Sequence, residues 1–358
     1  MQRNRPAATA SPADEARARE ILDLAEIAEA AVHTPEYEAR AAALLAVAGE
    51  VGAAVECLAA IDPPAALRVA GSSSRFWQDA GLVDEGRRVV DLALSAASAE
   101  PTTALGRSML TASDLAFRQG DQATAASRAT QAIDVSSQVG DRSAEAIART
   151  NLARIAFRNG DAPEIERHAR QALEVAGDDA MGRRGALHML AWAAHTAGDL
   201  PEARRRFESS LDFRRTLHDR LAVAVELSNL GDLSATEGDL PSGAEQLAEA
   251  LTIGHELGSR YLAVNLLPSF AGLAASAGDD EAGVRLLGAA DATARSSGLV
   301  ADPGGYGAGA EGSLRERVER DRFAQLFEEG AQLTLDESIE LALRVARSIT
   351  GSAGPSAP

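Results

Sequence analysis

Residues 227–253 read LSNLGDLSATEGDLPSGAEQLAEALTI, and this stretch contains the pattern that decides the fold. Its first leucines recur at helical spacing, which predicts a helix with one apolar face. Gly238 then supplies the left-handed conformation that ends a helix, and Asp239 is a natural N-cap for the next one. The stretch therefore predicts two helices joined by a tight turn.

This turn recurs about every 40 residues, and such a period marks a repeat architecture. The turn glycines are Gly81, Gly120, Gly160, Gly198, Gly238 and Gly278. An aspartate follows all but the first of them. One hairpin cannot bury its apolar face alone, so neighbouring hairpins must stack. We therefore predict an all-α fold, a right-handed α-solenoid of about six tetratricopeptide-like helical hairpins with a helical cap at each end, with HEAT-type helix pairs as the structural alternative.

Composition and turn signals divide the chain into six parts. We expect a flexible N-terminus (1–11), an N-terminal helical cap (12–70), the tetratricopeptide-like repeats (71–298), a flexible Gly-rich loop (299–312), a C-terminal helical cap (313–350) and a flexible tail (351–358).

The composition excludes several classes of function. All 35 basic residues are arginine, so lysine-dependent P-loop, kinase and Schiff-base chemistry is excluded. The net charge of −18 argues against direct nucleic-acid binding, which usually needs a basic surface. The single cysteine, Cys57, fits a reducing compartment, and the sequence shows neither a secretory signal nor an apolar run of membrane-spanning length. We expect a cytoplasmic protein that does not bind membranes.

Two motifs suggest chemistry but fit a structural role better. Residues 307–312 (GAGAEG) match G-x-G-x-x-G, but a dinucleotide fingerprint needs a preceding strand, and the sequence here predicts an interhelical loop. His188 and His195 share a helix face around Trp192, but no carboxylate or cysteine joins them at ligand spacing, so we interpret them as groove or packing residues. No catalytic set of residues is recognisable. We expect no enzyme activity, no cofactor and no metal.

The first helix of each hairpin lines the concave groove of a tetratricopeptide array. Counting back from each turn glycine along this helix predicts the groove-facing residues Arg107, Asp114, Phe117, Arg118, Thr150, Arg154, Phe157, Arg158, His188, Trp192, His195, Ser228 and Asp232. Asn151 and Asn229 lie one position from this set, where an amide suits a peptide backbone. Arginine forks bind carboxylates and tryptophan is a large apolar anchor, so the expected partner is an acidic or carboxylate-bearing peptide with an apolar side chain. An ordinary solvated helix face is the alternative.

The first repeat and the C-terminal end of the chain resemble parts of a known family. The sequences RFW at 75–77, AGL at 80–82 and EGRR at 85–88 resemble the first repeat in the C-terminal arm of bacterial signal-transduction ATPases and of LuxR-like or antibiotic-regulator-like transcriptional regulators. RLLGAA at 285–290 and the segment 323–343 are similar to the closing part of that arm. The resemblance implies a sensor that binds an inducer, a peptide or a partner protein, with an ATPase or regulator among its partners.

We therefore interpret the chain as a non-enzymatic protein- or peptide-binding regulatory module, the signal-sensing arm of a bacterial transcriptional regulator. The alternative is a structural scaffold or oligomerisation solenoid, which forms homo-oligomers and has no dedicated ligand.

Overall fold

The computed structural model describes residues 11–352 except 33, 35, 303 and 304, and every regular element within these residues is helical. The α-helices are, in chain order, α1 (Pro12–Ala31), α2 (Tyr37–Leu45), α3 (Ala48–Ile61), α4 (Pro63–Gly71), α5 (Ser74–Asp79), α6 (Val83–Ala96), α7 (Thr103–Arg118), α8 (Gln122–Val139), α9 (Arg142–Arg158), α10 (Ala162–Ala176), α11 (Ala180–Thr196), α12 (Leu200–Thr216), α13 (Arg220–Thr236), α14 (Leu240–Glu256), α15 (Arg260–Ala277), α16 (Asp280–Ser297), α17 (Ala310–Arg317), α18 (Arg320–Ala331) and α19 (Leu335–Ser352). A short 3-10 helix at Tyr306–Gly309 precedes α17.

Six helical hairpins follow the four N-terminal helices, and each of them spans one turn glycine. The pairs are α5 and α6, α7 and α8, α9 and α10, α11 and α12, α13 and α14, and α15 and α16. Successive pairs pack against each other, as stacked repeats must to bury their apolar faces. The predicted all-α solenoid is confirmed.

The first helix begins at the predicted boundary, and the last helix extends slightly beyond its predicted end. Residues 1–10 and 353–358, which include most of the predicted flexible termini, lie outside the described residues. Ser11 accepts a hydrogen bond from the N–H of Asp14 and caps α1, and α19 continues through Ser352. The predicted end of the C-terminal cap at 350 is therefore two residues short.

Glycine and aspartate have the same two roles at each turn. The five turn glycines that an aspartate follows have φ between 69° and 92°, a region that favours glycine. The aspartate accepts a hydrogen bond from the backbone N–H three residues later, as Asp239 does from Ser242 at 3.1 Å. The Gly-Asp pair that recurs along the sequence therefore marks, in each hairpin, the end of the first helix and the start of the second.

The array curves until its early and late hairpins meet across the groove. Helix α15 contacts α5, and Val264 of α15 belongs to the same apolar cluster as the N-terminal helices. The guanidinium of Arg118 in α7 lies on the ring of Tyr261 in α15, with 4.1 Å between Cζ and the ring centroid. The concave groove is therefore narrow and its two walls touch.

The described parts of the segment 299–312 contact the repeats and include helical turns, whereas the sequence predicts a flexible loop there. The N–H of Val300 donates to the carbonyl of Arg118 at 2.9 Å, and α17 begins at Ala310 rather than at 313. Curvature of the array brings the second hairpin onto this segment, which gives its backbone groups protein partners in place of water. The sequence could not indicate this contact, because a Gly-rich composition reports local backbone freedom and carries no signal of a long-range contact.

The C-terminal helix α18 closes the last hairpin through a close approach of backbone to backbone at two glycines. Helix α18 packs on α16 at Gly288 and Gly330. A Cβ atom at Gly288 would lie 2.0 Å from the carbonyl oxygen of Phe327, and one at Gly330 would lie 2.0 Å from the carbonyl oxygen of Arg285. Since the atoms in the way belong to the backbone, a larger residue must push the two helices apart.

Gly288→Ala should therefore destabilise the protein by about 1–3 kcal/mol, the usual cost of overpacking. The measurement is urea denaturation followed by circular dichroism. Gly312→Ala is the matched control, because nothing lies within 4 Å of its added methyl group and alanine favours a helix by about 0.5–1 kcal/mol. Equal stability of the two variants would contradict backbone contact between α16 and α18.

Candidate functional site

Residues from five helices, α7, α9, α11, α13 and α15, line one cavity of about 90 Å³ in the groove. The lining includes eight of the predicted groove residues, which are Phe117, Arg154, Phe157, His188, Trp192, Ser228, Asn229 and Asp232. Tyr261, Asn265 and Asp302 complete the wall on the side of α15. The structure thus brings residues from the second to the sixth hairpin to one place.

Two arginines of α9 are held on an aromatic ring at one end of this cavity. The guanidinium carbons of Arg154 and Arg158 lie 4.2 and 3.9 Å from the centroid of Phe117. Nη1 of Arg154 donates to Oδ1 of Asp114 at 2.6 Å. Burial opposes ionisation of Asp114, but the charges of Arg154 and Arg118 outweigh it and lower its pKa. Stacking fixes the planes of the guanidinium groups, so their donors point in set directions. We call Arg118, Arg154 and Arg158 the arginine cluster.

The arginine cluster already binds a carboxylate, that of Asp302. Nη2 of Arg158 donates to Oδ1 of Asp302 at 3.0 Å, and the hydroxyl of Tyr261 donates to Oδ2 at 2.7 Å. The N–H of Asp302 donates to Oδ1 of Asn265 at 2.8 Å. Burial opposes ionisation of Asp302, but the arginines, Arg118 foremost, and the Tyr261 hydroxyl lower its pKa. Burial and the charge of Asp302 raise the pKa of Tyr261 to about 12, so its hydroxyl stays protonated as a donor.

Trp192 forms the apolar wall of the cavity and is only 8% exposed. Its ring centroid lies 4.3 Å from that of Phe157, 5.5 Å from that of Phe207 and 4.9 Å from that of His195. Burial lowers the pKa of His195, which favours a neutral imidazole beside the indole. Trp192 is therefore a packed side chain that presents part of its ring to the cavity.

A buried ionic network orients His188 and joins three helices. Glu226 accepts hydrogen bonds at 2.6 Å from Nε of Arg214 and from Oγ of Ser210, and Nδ1 of His188 lies 3.0 Å from it. Asn229 donates to the same carboxylate at 3.4 Å. Burial would raise the pKa of Glu226, but His188 and Arg214 lower it to about 2. The network engages polar atoms of His188 and Asn229 within the wall of the groove.

Three of the predicted site residues form hydrogen bonds or ion pairs within the array instead. Arg107 is exposed and pairs with Asp141, with 3.0 Å between Nε and Oδ2. Thr150 is buried and its hydroxyl donates within α9. Asn151 is buried and donates to Oγ of Ser113 at 3.3 Å, so the expectation that it grips a peptide backbone is corrected. These positions turn from the groove into the contacts between neighbouring hairpins.

Several residues of the site were not indicated by the sequence. Counting back from Gly278, as from the other turn glycines, reaches Asn265, so that residue had a usable signal. Tyr261 and Asp302 had none, because they join the site only through the curvature of the whole array. Glu226 had a weak signal in the sequence, because a carboxylate on an otherwise apolar helix face needs a buried partner.

Asp232 stands out because one of its carboxylate oxygens is buried without a partner. Within the described part of the chain, Oδ1 of Asp232 has no hydrogen-bond partner. Burial raises the pKa of Asp232 to about 6, although the Ser269 hydroxyl and the N–H of Tyr306 act in the opposite direction. A Cβ atom at Gly305 would lie 2.7 Å from Oδ2, so the segment after α16 closely approaches this carboxylate.

Neither a metal centre nor a single membrane-spanning helix is found in the described residues. No group of three or more His, Cys, Asp or Glu side chains among them is placed to hold a metal ion. None of their helices, taken singly, combines the length and the apolar character needed to cross a membrane. The consecutive segments Ala39–Leu45 and Ala48–Ile61 meet those criteria together, with a bend of 73° between them.

The fold and the groove define a helical-repeat module, and comparison with known sequences specifies the repeat. Residues 144–216 match the tetratricopeptide repeat family. The chain therefore contains a domain of the tetratricopeptide type. No curated protein sequence matches it.

The solved structures that match the chain share little sequence with it. BtubC (BKLC) from P. vanneervenii is 19% identical, with a TM-score of 0.45, 61% of this chain covered and 92% of that one. A putative kinesin light chain from Podosopora anserina with nearly identical TPR-like repeats is 17% identical, with a TM-score of 0.39 and coverages of 55% and 98%. The apo form of RapI is 14% identical, with a TM-score of 0.44 and coverages of 94% and 99%.

Asp232→Asn should stabilise the protein at pH 7 by on the order of 1–3 kcal/mol, because it removes a buried charge. The folded-state pKa of about 6 lies above the ordinary value of 3.8, so the folded protein holds the proton more tightly and loses stability as pH rises through this window. The gain from Asp232→Asn should therefore shrink as pH falls from 7 to 4. Urea denaturation across this range measures it.

The control for this experiment is Asp212→Asn, since the Asp212 side chain is 78% exposed. Its effect on the free energy of unfolding should be small at every pH. A gain from Asp232→Asn that is the same at pH 4 and pH 7 would contradict the burial of this carboxylate.

Proposed function

We propose that the chain is a protein- or peptide-binding regulatory module and that the concave groove is its binding site. The tetratricopeptide-type domain supports the binding role, because such domains generally mediate protein interactions rather than catalysis. The arginine cluster carries the proposal for the site. Arg154 and Arg158 lie on Phe117 with fixed planes, and a guanidinium fork in this state suits a carboxylate of the partner.

The apolar half of the site suits a side chain next to that carboxylate. The cavity lies between the arginine cluster and Trp192, and Phe117 and Phe157 form part of its wall. Anchors that enter such pockets contribute a large share of binding energy. The expected partner is therefore an acidic or carboxylate-bearing peptide or protein segment with an apolar residue close to its acidic group.

We further propose that this binding serves as the signal-sensing step of a bacterial transcriptional regulator in the cytoplasm. Support comes from the resemblance of residues 75–88 and 285–290 to the sensor arms of LuxR-like regulators and signal-transduction ATPases. An ATPase or regulator would then be the second partner, and the acidic chain would leave DNA contact to it.

An oligomerisation scaffold is the alternative, and one observation favours it. Large apolar side chains are exposed on the N-terminal helices, with Ile27 at 46%, Leu45 at 50% and Ile61 at 43%. Exposed apolar groups that form a patch are typical of interaction surfaces. Size-exclusion chromatography with light scattering measures the oligomeric state of the purified protein. A dimer that the Leu45→Ser substitution dissociates would support the scaffold.

The groove proposal predicts that peptides selected from a displayed random library against the purified protein contain acidic residues. Their affinity should fall about 30-fold, or about 2 kcal/mol, in Arg158→Ala and Arg154→Ala, because truncating a desolvated anchor of this kind removes its paired contact. Isothermal titration calorimetry with the selected peptides measures the change.

Arg295→Ala is the matched control, since the Arg295 side chain is 66% exposed and forms an ion pair with Asp291 in its own helix, away from the groove. Peptides that bind the groove variants as tightly as this control would place the ligand elsewhere. A library that yields no acidic consensus would argue for the scaffold.

A further inference from the structure

We infer that residues Val300 to Asp302 occupy the groove as an internal copy of the partner, which is a peptide segment bound through an aspartate side chain and through the backbone of the two residues before it. The partner binds by displacing this segment from the arginine cluster. The inference rests on the proposed function of the groove and adds the sequence class of the partner and the regulation of the site.

The contacts of this segment are those of peptide recognition, and they use both backbone and side chain. The N–H of Val300 donates to the carbonyl of Arg118 at 2.9 Å, and Nη2 of Arg158 donates to the carbonyl of Val300 at 3.4 Å. The N–H of Asp302 donates to the amide oxygen of Asn265. The carboxylate of Asp302 is held by Arg158 and by Tyr261. The groove therefore binds the acidic side chain of Asp302 and the backbone of the residues that precede it.

These partners are remote along the chain, so the contact is tertiary and not a local turn. Arg158 precedes Asp302 by 144 residues, Tyr261 precedes it by 41 and Asn265 by 37. They come from the third and the sixth hairpins, which meet only because the array curves. A segment from another molecule can make the same contacts once the internal one leaves.

The internal segment leaves part of the donor capacity of the site unused. Within the described residues, Nε and Nη1 of Arg118 and Nε of Arg158 are buried without a hydrogen-bond partner. The three arginines of the cluster face two carboxylates, those of Asp114 and Asp302. A C-terminal aspartate has two carboxylates, one on its side chain and one at the chain end. A partner with such an end therefore satisfies more of these donors than the internal segment does.

The apolar contact of the internal segment is also weak. Val300 remains 46% exposed, and its side chain is not among those that line the cavity beside Trp192. The segment holds the site mainly because its attachment to α16 gives it a high effective concentration. Intramolecular occupancy of this kind lowers the apparent affinity of any partner by the fraction of molecules in which the site is vacant. The contact between the internal segment and the arginine cluster therefore sets the partner concentration that is needed to occupy the site.

The test uses a synthetic peptide, Ser-Gly-Leu-Val-Ala-Asp with a free C-terminus, which has the sequence of residues 297–302. Its affinity is measured by calorimetry for the full chain, for Asp302→Asn and for Asp212→Asn as the exposed control. We expect at least about tenfold tighter binding to Asp302→Asn than to the other two, because the internal competitor has lost its charge. The same peptide with asparagine in place of aspartate should lose this binding.

A second measurement needs no variant and so does not depend on the folding of one. Hydrogen exchange of the Val300 and Asp302 amides is followed in the unaltered chain, with and without saturating peptide. Displacement frees both N–H groups from Arg118 and Asn265, so their exchange should become at least about tenfold faster. Unchanged or slower exchange at saturation would overturn the inference, as would equal peptide affinity of the unaltered chain and Asp302→Asn.

The outcome also separates this inference from the proposed function. Library-selected acidic peptides that need Arg158 but bind the unaltered chain and Asp302→Asn equally would retain the groove as a binding site and refute the internal copy. If neither these peptides nor the synthetic one depends on Arg158, both proposals fail.

Discussion

Arg118, at the end of α7, lies on the ring of Tyr261 in α15 and joins the second hairpin to the sixth across the groove. An array of helical hairpins has no intrinsic reason to make such a contact, because each repeat needs only its neighbours. Once it forms, the concave face becomes narrow and its charged groups lose water. The position of Asp302 depends on this closure, because its partners Arg158 and Tyr261 come from the third and the sixth hairpins.

Loss of water decides which charges the groove can hold. Arginines placed there need both acceptors and flat surfaces, and Phe117, Asp114 and Asp302 supply them. Glu226 is compensated in the same way by Arg214 and His188. Asp232 is the exception, since one oxygen has no partner within the described residues and its pKa rises to about 6. The Ser269 hydroxyl and the N–H of Tyr306 offset only part of the cost of burying this carboxylate.

The repeated unit was predictable from the sequence, and its arrangement in space was predictable only in part. Gly238 and Asp239 predict the turn because only a few residue types favour the end of one helix and the N-cap of the next. These preferences depend on the local sequence alone. Counting along the first helix reached Arg154, Trp192 and Asp232 of the cavity wall. The neighbouring position Asn151 instead faces the adjacent helix, because a helix face rotates gradually from groove to contact. Tyr261 and Asp302 were out of reach, since curvature accumulates over many repeats and no local pattern encodes where the two ends meet.

A groove that holds part of its own chain differs physically from an open one. In an open groove, desolvation of the arginines on binding would count against the partner, whereas here the folded chain has already desolvated them. The partner then exchanges one carboxylate for another at nearly constant solvation, and its advantage lies in the donors of Arg118 and Arg158 that Asp302 leaves unused. Discrimination comes from the number of acceptor atoms and from the fit beside Trp192, because charge alone gives no gain over the internal segment. Such an exchange favours selectivity over affinity, which is the property that a sensing role requires.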